Sequence, residues 1–521
     1  MNQRNSSLAA RSLCTGLLLL AALLTGGCAT NPVTKKTELT LMSEQQEIRI
    51  GTQQYLQSQQ SAGGKFLLDP ALTAYVSEVG QKLVRVSDRP NLPFEFIVIN
   101  DSVPNAWALP GGKLAVNRGL LTELKSEAEL AAVLSHEIVH AAARHGASSM
   151  EKGILLAAGA AVISVLAADN KAHEVIDTAA AGGAALLSLR FSRDHELEAD
   201  HYGIDYMVRA GYDPQAAVEL QETFVRLSGN KTTGWVAGMF ATHPPSQERV
   251  DANRRMAATL PAGLYRGEDV YQRKMAFLST SKPAYAAHDE GRKLLEKDPA
   301  RSLVQAERAI KLEPREAMFH ALRGDALKKL GRAAEAEHEY GEAIQRNGDY
   351  YAYFLSRGLT RSRLGNAAGA QSDLERSNAL LPTAAAHFVL GNLAQGAGNP
   401  VKAIDHFKLA AASDSDIGKR AGSSLARLDL PRNPGNYVRV EPVADGNGNL
   451  GLRVGNRSPI PLRNLRVAGS VPKAGFSREY SVPGILQPGE SAVVAMGVRL
   501  TDFDGGLAQV RGQVRAGDPA D

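Results

Sequence analysis

Cysteine is nearly absent from this chain: its 521 residues include 2 cysteines, Cys14 and Cys28, both close to the N-terminus. The body of the chain can therefore form no internal disulfide, whatever its compartment. The chain also lacks a large excess of charge of one sign: its formal net charge is +4, and no dense basic run occurs. A nucleic-acid partner is therefore not expected. The length exceeds that of a single hydrophobic core, so roughly two to four domains are predicted.

A long apolar run at the N-terminus is also missing. The run from Leu13 to Leu24 is short for a membrane span. A basic head precedes it and Thr25-Gly26-Gly27-Cys28 follows, an order typical of a secretory signal, so residues 1–27 are predicted to be a signal peptide. The small residues before Cys28 resemble a bacterial lipobox, in which Cys28 would be acylated; plain cleavage nearby is the alternative. By resemblance to sorting in Gram-negative bacteria, Ala29 favours the outer membrane.

The chemistry of the chain is indicated by His136-Glu137-Ile138-Val139-His140, which lies in an apolar run that predicts a helix. The two histidines share one helix face, one turn apart, and could bind one metal ion. Glu137 lies about 100° round the helix, where it could take a proton from water without coordinating the metal. Two solvated histidines on an ordinary amphipathic helix are the alternative. Apolar flanks favour burial, and buried histidines need partners, so the pattern favours a zinc peptidase site.

A second motif, RDHELEAD, offers the third protein ligand that zinc requires. Its acidic residues form two pairs spaced by four positions, Glu196 with Asp200 and Asp194 with Glu198. In either pair, one carboxylate could coordinate the metal while the other holds a coordinating histidine by its outer ring nitrogen. Spacing alone does not choose between the pairs. His195 is a further candidate ligand, although a lone histidine on a charged helix is more often solvated.

These two motifs resemble those of the M48 family of zinc endopeptidases, and most of all its periplasmic, outer-membrane-associated members with tetratricopeptide repeats. The resemblance implies one Zn²⁺ per chain, held by His136, His140 and Glu196. It makes Asp200 the carboxylate that orients a histidine ligand. Glu137 is then the catalytic base.

The metzincin pattern HExxHxxGxxH does not fit the sequence. Ala143 stands where that pattern needs glycine, and Gly146 stands where it needs a third histidine. His145 is one residue short of that place, and it is interpreted as a helix-end residue.

The segment NAWALPGG precedes an alternating stretch from Lys113 to Asn117. Its glycine pair predicts a tight turn between two strands. The segment also resembles the M48 pattern N-A-x-A-x-P-G-G, which implies the edge of a sheet above the zinc. An unfolded peptide could add to that edge as an extra strand, held mainly by backbone hydrogen bonds. The predicted substrate-binding residues here are Asn105, Ala106, Gly111 and Gly112.

A third block, ATHPPSQER, contains His243 and Arg249 and resembles the M48 H-P-x-x-x-x-R motif. Proline after His243 fixes the local backbone and displays the imidazole. The resemblance implies that this histidine approaches the metal, where it either stabilises the oxyanion or occupies the fourth zinc position in a resting state. A solvent-exposed loop histidine is the alternative. The same resemblance assigns Arg249 to substrate binding.

From about residue 285 the chain becomes a repeat. Three glycines recur 34 and 33 residues apart, at Gly324, Gly358 and Gly391. A large residue follows each of them by sixteen positions, at Tyr340, Leu374 and Phe407. This is the small–large spacing of tetratricopeptide helix pairs, in which small residues let helices approach. Roughly four repeats, the first incomplete, are predicted to stack into a curved, peptide-binding α-solenoid.

Two further regions have simpler patterns. Alternating stretches after Pro434, separated by Gly, Asn and Pro, predict a small antiparallel β-sandwich without a catalytic constellation, for which an interaction or spacer role is expected. Small-residue runs at 153–189, between the two metal motifs, predict a buried helical hairpin packed through Ala and Gly. A membrane-facing or mobile cover over the active site is the alternative.

The predicted architecture is therefore multidomain. It comprises an α+β, mainly helical, zincin-type metallopeptidase domain, an α-solenoid of tetratricopeptide repeats and a C-terminal antiparallel β-sandwich. The predicted boundaries are a signal peptide at 1–27, a tether at 28–43, the peptidase domain at 44–262, a linker at 263–284, the repeats at 285–430 and the β-sandwich at 437–517.

The function predicted from this organisation is zinc-dependent endopeptidase activity in the periplasm, from an anchor in the outer membrane of a Gram-negative bacterium. By resemblance, the clients are misfolded or stalled outer-membrane proteins, and the repeats hold clients or the outer-membrane assembly machinery. The alternative is a repeat-based chaperone or assembly scaffold whose metal site is shut.

Overall fold

The computed structural model describes residues 28–153, 191–229, 239–503 and 506–520. The chain divides into two compact units, and the first of them ends at Tyr350. The predicted signal peptide and nearly all of the predicted hairpin at 153–189 lie outside the described residues. Among the helices that the structure describes, none is long and apolar enough to cross a membrane.

The first unit is mainly helical and contains one three-stranded sheet. The sheet order is β3-β5-β4, with β3 parallel and β4 antiparallel to the central strand, so β4 is an edge strand. The strands are β1 Cys28–Thr30, β2 Thr37–Leu39, β3 Glu95–Ile99, β4 Ala106–Leu109 and β5 Lys113–Asn117. The helices as far as the third sequence block are α1 Glu44–Ser61, α2 Pro70–Val84, α3 Arg118–Leu121, α4 Glu127–Ala142, α5 Arg193–Arg209, α6 Gln215–Gly229, α7 Met239–Thr242 and α8 Gln247–Ala257.

Helix α2 illustrates how local sequence specifies these elements. The Asp69 side chain accepts a hydrogen bond from Leu72 N at 3.2 Å, and Pro70 occupies the first helical turn, where its missing N–H is not needed. The apolar residues at helical spacing, Leu72, Val76, Val79 and Leu83, are all buried, as their periodicity predicts. The helix therefore begins and faces inward as the sequence indicates.

The turn between β4 and β5 needs its two glycines. Gly111 and Gly112 have φ angles of 77° and 88°, a backbone conformation that favours glycine. A β-carbon on Gly111 would also come within 2.5 Å of Ile48 Cα on α1. The predicted strand–turn–strand unit is confirmed, and α1 packs directly against its turn.

The predicted tether at 28–43 is not a loose segment. Strands β1 and β2 pair with each other, and the segment packs on the body of the unit. Val33 is buried, and Asn31 Nδ2 donates to Ala143 O at 2.9 Å, at the end of α4. Glu151 accepts hydrogen bonds from two backbone N–H groups, those of Leu41 and Met42. The polar, Thr-rich composition did not reveal this docking because the contacts come from residues more than 100 positions away.

The predicted linker at 263–284 is also part of the packed structure. It contains α9, Glu268–Lys274, and the first part of α10, Ala276–Leu294. Tyr271 is fully buried and its hydroxyl donates to Leu121 O at 2.7 Å. One hydrophobic core extends from α2 through these helices to Phe319.

Helical hairpins follow in both units, and their glycines lie at helix contacts. A β-carbon on Gly324 would lie 2.8 Å from the Tyr340 ring, within the first unit. In the second unit, Gly358 and Gly391 have the same relation to Leu374 and Phe407, at 2.8 and 2.6 Å. The predicted close approach of helices at these positions is confirmed. The first unit ends with α11 Pro299–Leu312, α12 Ala317–Lys329 and α13 Ala333–Arg346. The second unit begins with α14 Tyr351–Arg363, α15 Ala367–Leu380, α16 Ala384–Gly396, α17 Pro400–Ala411 and α18 Asp416–Asp429.

The second unit ends in two three-stranded antiparallel sheets, β10-β7-β6 and β11-β8-β9. Inward residues of both sheets, such as Leu452 and Val467, belong to one buried cluster. Strand β9 was not predicted, since its residues are mostly exposed and polar. The strands are β6 Val438–Ala444, β7 Asn449–Asn456, β8 Leu462–Val471, β9 Phe476–Ser481, β10 Ser491–Arg499 and β11 Arg511–Pro519.

Candidate metal centre

Helix α4 carries the first motif into the core of the first unit. The Ser126 side chain caps it by accepting from Glu129 N at 3.1 Å, and every residue from Glu127 to Ala142 is buried. His136 and His140 share one face, and their Nε2 atoms lie 3.1 Å apart. Solvated histidines, the alternative from sequence, are therefore excluded.

Helix α5 packs across α4 and supplies the carboxylate. Glu196 is buried, with its two oxygens 3.5 Å from His136 Nε2 and from His140 Nε2. The structure thus brings Glu196, and not the exposed Asp194, to the two histidines. Of the two pairs that spacing left open, the geometry favours Glu196 with Asp200.

His243 joins the same cluster. It directly follows the short helix α7, where its backbone N–H donates to Met239 O at 2.7 Å. Its Nδ1 lies 3.0 Å from a Glu196 oxygen and 3.3 Å from His136 Nε2, and its Nε2 lies 3.5 Å from Glu137 Oε1. One ring nitrogen therefore faces the donor cluster and the other faces the candidate base. His243 is buried, so it is not a solvent-exposed loop residue.

Asp200 lies behind the cluster and contacts the outer nitrogen of one histidine. Its Oδ1 is 2.9 Å from His136 Nδ1, and both its oxygens accept from the Arg249 guanidinium at 2.6 and 2.7 Å. Arg249 also lies 2.9 Å from Glu196 Oε2. The sequence assigned Arg249 to substrate binding, but the structure buries its guanidinium against these two carboxylates. Its contacts indicate that it neutralises and orients them.

The predicted substrate-binding segment lies beside α4. Ala106 is fully buried in β4, and the backbone carbonyl of Asn105 accepts from Asn117 N at 2.8 Å. A small cavity separates the end of this edge strand from the metal cluster, with Ala108, His140 and Phe191 in its lining. The glycines at 111 and 112 form the turn itself rather than this cavity.

Burial and hydrogen bonding shift the pKa values of the residues in the cluster. Burial lowers the pKa of His136, but its contacts with Asp200 and Glu196 outweigh that effect and raise the pKa to about 9. Burial dominates at His140 and lowers its pKa well below the ordinary value. Burial opposes ionisation of Glu196, yet the neighbouring histidines, His243 first, lower its pKa well below the usual range. His140 and Glu196 are therefore in the neutral and ionised forms that coordinate metals, whereas His136 must release a proton when a metal binds.

The residues present fit a divalent metal. Donor atoms of His136, His140, Glu196 and His243 all lie within 4.8 Å of one another and are buried. Among the described residues, both oxygens of buried Glu137 lack a hydrogen-bond partner. A buried carboxylate without partners is costly in an ordinary core but is expected where a polar substrate or water is handled. Nitrogen and oxygen donors in this number suit a borderline cation such as zinc.

Sequence reasoning missed the contacts of His145 with the metal cluster. Its Nδ1 lies 2.9 Å from His140 Nδ1, and its ring stacks on that of His195 at 4.2 Å. Arg144, with φ 63°, breaks the helix just before it. No local signal predicts that a non-glycine residue adopts this conformation, so His145 could not be placed from spacing. His195 itself lies outside the four-residue donor cluster.

Known proteins are similar to this chain in the region that contains the metal cluster. The family model described as peptidase family M48 matches residues 70–257. A putative beta-barrel assembly-enhancing protease of Vibrio cholerae is 32% identical over 200 residues, which cover 37% of this chain and 40% of that protein. The mitochondrial metalloendopeptidase OMA1 of Schizosaccharomyces pombe is 32% identical over 262 residues, which cover 49% of this chain and 73% of that protein.

The beta-barrel assembly-enhancing protease of Escherichia coli is 31% identical over 235 residues, which cover 44% of this chain and 47% of that protein. The chain thus spans less than half the length of these two bacterial relatives and nearly three quarters of the Schizosaccharomyces pombe protein. All four residues of the donor cluster fall within the stretch that the family model matches.

Proposed function

Because the chain belongs to peptidase family M48, we propose that it is a zinc-dependent endopeptidase. The observation that carries this proposal is the buried donor cluster with Glu137 beside it. His136, His140 and Glu196 would hold the metal, since two imidazoles and one carboxylate are a donor set of catalytic zinc sites. Zinc bound there would supply Lewis-acid chemistry to a scissile carbonyl and to the attacking water.

The residues around the metal have separate roles in the proposed reaction. The Glu137 carboxylate accepts the proton of the attacking water and returns it to the leaving amine. Asp200 holds the Nδ1–H of His136, so that Nε2 faces the metal. Arg249 keeps Asp200 ionised and also contacts Glu196. The low exposure of every one of these groups keeps bulk water away from them.

His243 closes the site in the resting enzyme. Its Nδ1 is as near to the donor atoms of His136 and Glu196 as these are to each other, and its Nε2 faces the base. Neutral imidazole is a good zinc ligand, so this arrangement supports occupation of the fourth position. Substrate entry then requires His243 to leave.

Unfolded polypeptide is the substrate class that the site suits. Edge strand β4 runs beside α4, and a peptide added to it would be held through its backbone rather than through particular side chains. The names of the bacterial relatives support misfolded or stalled outer-membrane proteins as clients. The repeats would hold clients or the outer-membrane assembly machinery, and the enzyme would act in the periplasm of a Gram-negative bacterium.

The architecture proposed for this activity is a zincin-type peptidase domain, an α-solenoid of tetratricopeptide repeats and a β-sandwich. Helices α12 to α17 supply the small–large contacts that support the repeats. The two C-terminal sheets with one shared core support the sandwich. Helix α10 packs against α11 as the first helix of a hairpin, which supports a start of the repeats earlier than residue 285.

Metal analysis and a cleavage assay test the proposal together. The purified chain should carry one zinc per molecule and cleave fluorescent casein, and Glu196→Ala should lose both properties. The competing function is a chaperone or scaffold with a shut site, which the position of His243 favours. Stoichiometric zinc without cleavage in wild type would support that alternative, and casein cleavage by His243→Ala would then show that His243 shuts the site.

Anchoring by a lipid at Cys28 is the remaining part of the proposal. It is supported by the small residues that precede Cys28. Cells labelled with a fatty-acid analogue should incorporate it into wild type and not into Cys28→Ala. Equal labelling of both proteins would contradict the anchor without touching the metal site.

A further inference from the structure

The two histidine ligands are supported from behind by different groups. His136 contacts Asp200 through its outer nitrogen, as the sequence predicted. His140 has no carboxylate in that place. Its Nδ1 lies 2.9 Å from Nδ1 of His145, which is itself buried at 2% exposure.

The direction of this hydrogen bond follows from the chemistry of imidazole. The Nε2 atom of His140 faces the donor cluster, 3.1 Å from His136 Nε2. If that nitrogen coordinates a metal, the proton of the neutral ring is on Nδ1 and must be donated. His145 Nδ1 is then the acceptor, and the proton of the His145 ring is on its Nε2.

The Nε2 atom that carries this second proton lies beside a carboxylate, in ion-pair range but without a hydrogen bond to it. His145 Nε2 lies 3.5 Å from Glu198 Oε2, and the other Glu198 oxygen accepts from Lys36 Nζ at 2.6 Å. His145 also stacks on the His195 ring, with planes 5° apart and centroids at 4.2 Å. The chain of contacts therefore runs from His140 through His145 and Glu198 to Lys36, which lies directly before β2.

We propose that His145 is a positioning residue for the metal ligand His140, oriented by Glu198 and, through it, by Lys36 of the N-terminal segment. This rests on the proposed zinc site and adds a second support to that of Asp200 and Arg249. If so, the packing of residues 28–43 on the first unit increases metal affinity through the contact of Lys36 with Glu198. The family resemblance gave Glu198 no role, whereas the contacts of the structure give it one in this proposal.

Two substitutions separate hydrogen bonding from packing at position 145. His145→Phe keeps a ring to stack on His195 but removes the acceptor, whereas His145→Asn keeps an acceptor near the former Nδ1 but removes the ring. Zinc affinity is measured on the full mature chain by competition with a chromogenic chelator, and the melting temperature is measured without metal. His145→Phe should lose about 10- to 100-fold in zinc affinity, as expected when such a support is removed. His145→Asn should stay much closer to wild type.

Glu198→Gln is a milder variant, since this residue is partly exposed. It should weaken zinc binding by less than His145→Phe does, and exposed Asp194→Ala on the same helix should leave it unchanged. Equal zinc affinity in wild type, His145→Phe and Glu198→Gln would overturn the proposal. So would equal losses in His145→Phe and His145→Asn that follow their melting temperatures, because His145 would then act only through packing. Wild type without zinc would instead refute the proposed function itself.

Discussion

Glu137→Gln is the substitution that bears most directly on the mechanism. Glutamine has the same shape but its amide cannot accept a proton from water at neutral pH. A lost general base lowers turnover by about 100- to 10,000-fold, or about 2.7–5.4 kcal/mol at 1.36 kcal/mol per decade. Glu137 is not among the four donors of the metal cluster, so zinc content should be unchanged.

The same substitution should not cost stability. Both Glu137 oxygens are buried and, in the described part of the chain, lack hydrogen-bond partners. Replacing a buried charge without such partners by a neutral amide removes a desolvation penalty, so the metal-free melting temperature should stay equal or rise. Activity and stability are thus expected to move independently.

Glu127→Gln is the matched control on the same helix. Its carboxylate accepts from Tyr75 Oη at 3.0 Å and from Tyr212 Oη at 2.8 Å. Losing the charge of this group, each of whose oxygens accepts a hydrogen bond, should cost about 1.5–3 kcal/mol of stability and leave turnover per folded molecule near wild type.

The assay is hydrolysis of a fluorescent casein at equal zinc loading, with melting temperatures of all three proteins measured without metal. Wild-type turnover by the Glu137 variant would refute its role as base. A fall in activity in both glutamine variants, in proportion to their melting temperatures, would show that the loss comes from folding rather than from chemistry.

Three further outcomes are expected. Asp200→Ala should weaken zinc binding about 10- to 100-fold, measured by chelator competition, while exposed Asp194→Ala changes nothing; the reverse order would contradict the assignment of ligands. His243→Ala should raise casein hydrolysis if the imidazole closes the site, whereas a fall of about 100-fold or more would instead assign it to oxyanion stabilisation. In the second unit, the Nδ1 atoms of His387 and His406 lie 3.1 Å apart, and burial lowers the pKa of both. The unfolded chain then binds more protons below about pH 6.5, so unfolding should become easier as pH falls from about 7.5 to 5.5. His406→Gln should reduce that pH dependence in thermal unfolding curves, and an unchanged dependence would exclude this pair as its source.

Helical periodicity made much of the site predictable. The spacing of His136 and His140 fixes their common face whatever surrounds the helix, and Asp200 lies one turn from Glu196 for the same reason. The repeat glycines were equally informative, because a helix contact that admits no β-carbon leaves a fixed period in the sequence. Both signals are local, and both correspond to contacts that the structure contains.

Contacts between distant segments left no such signal. Residues 28–43 and 263–284 are polar enough to be interpreted as tether and linker, yet Val33 and Tyr271 are buried in the first unit. Whether such a segment packs depends on the surface it meets rather than on its own periodicity. The sequence therefore indicated a tether and a linker and did not reveal that both segments pack onto the first unit.

Arg144 shows why the support of His140 in particular was hidden. Had α4 continued regularly, residue 145 would lie about 140° round the helix from residue 140, facing away from it. The left-handed conformation of Arg144 turns the chain back, and the Arg144 guanidinium, which donates to Thr40 Oγ1 at 3.0 Å and also contacts Glu47, holds the bend in place. The N-terminal segment that carries Thr40 thus helps to create the position from which His145 reaches His140. A ligand can be inferred from its own helix, but the group that orients it depends on a turn that a third segment stabilises.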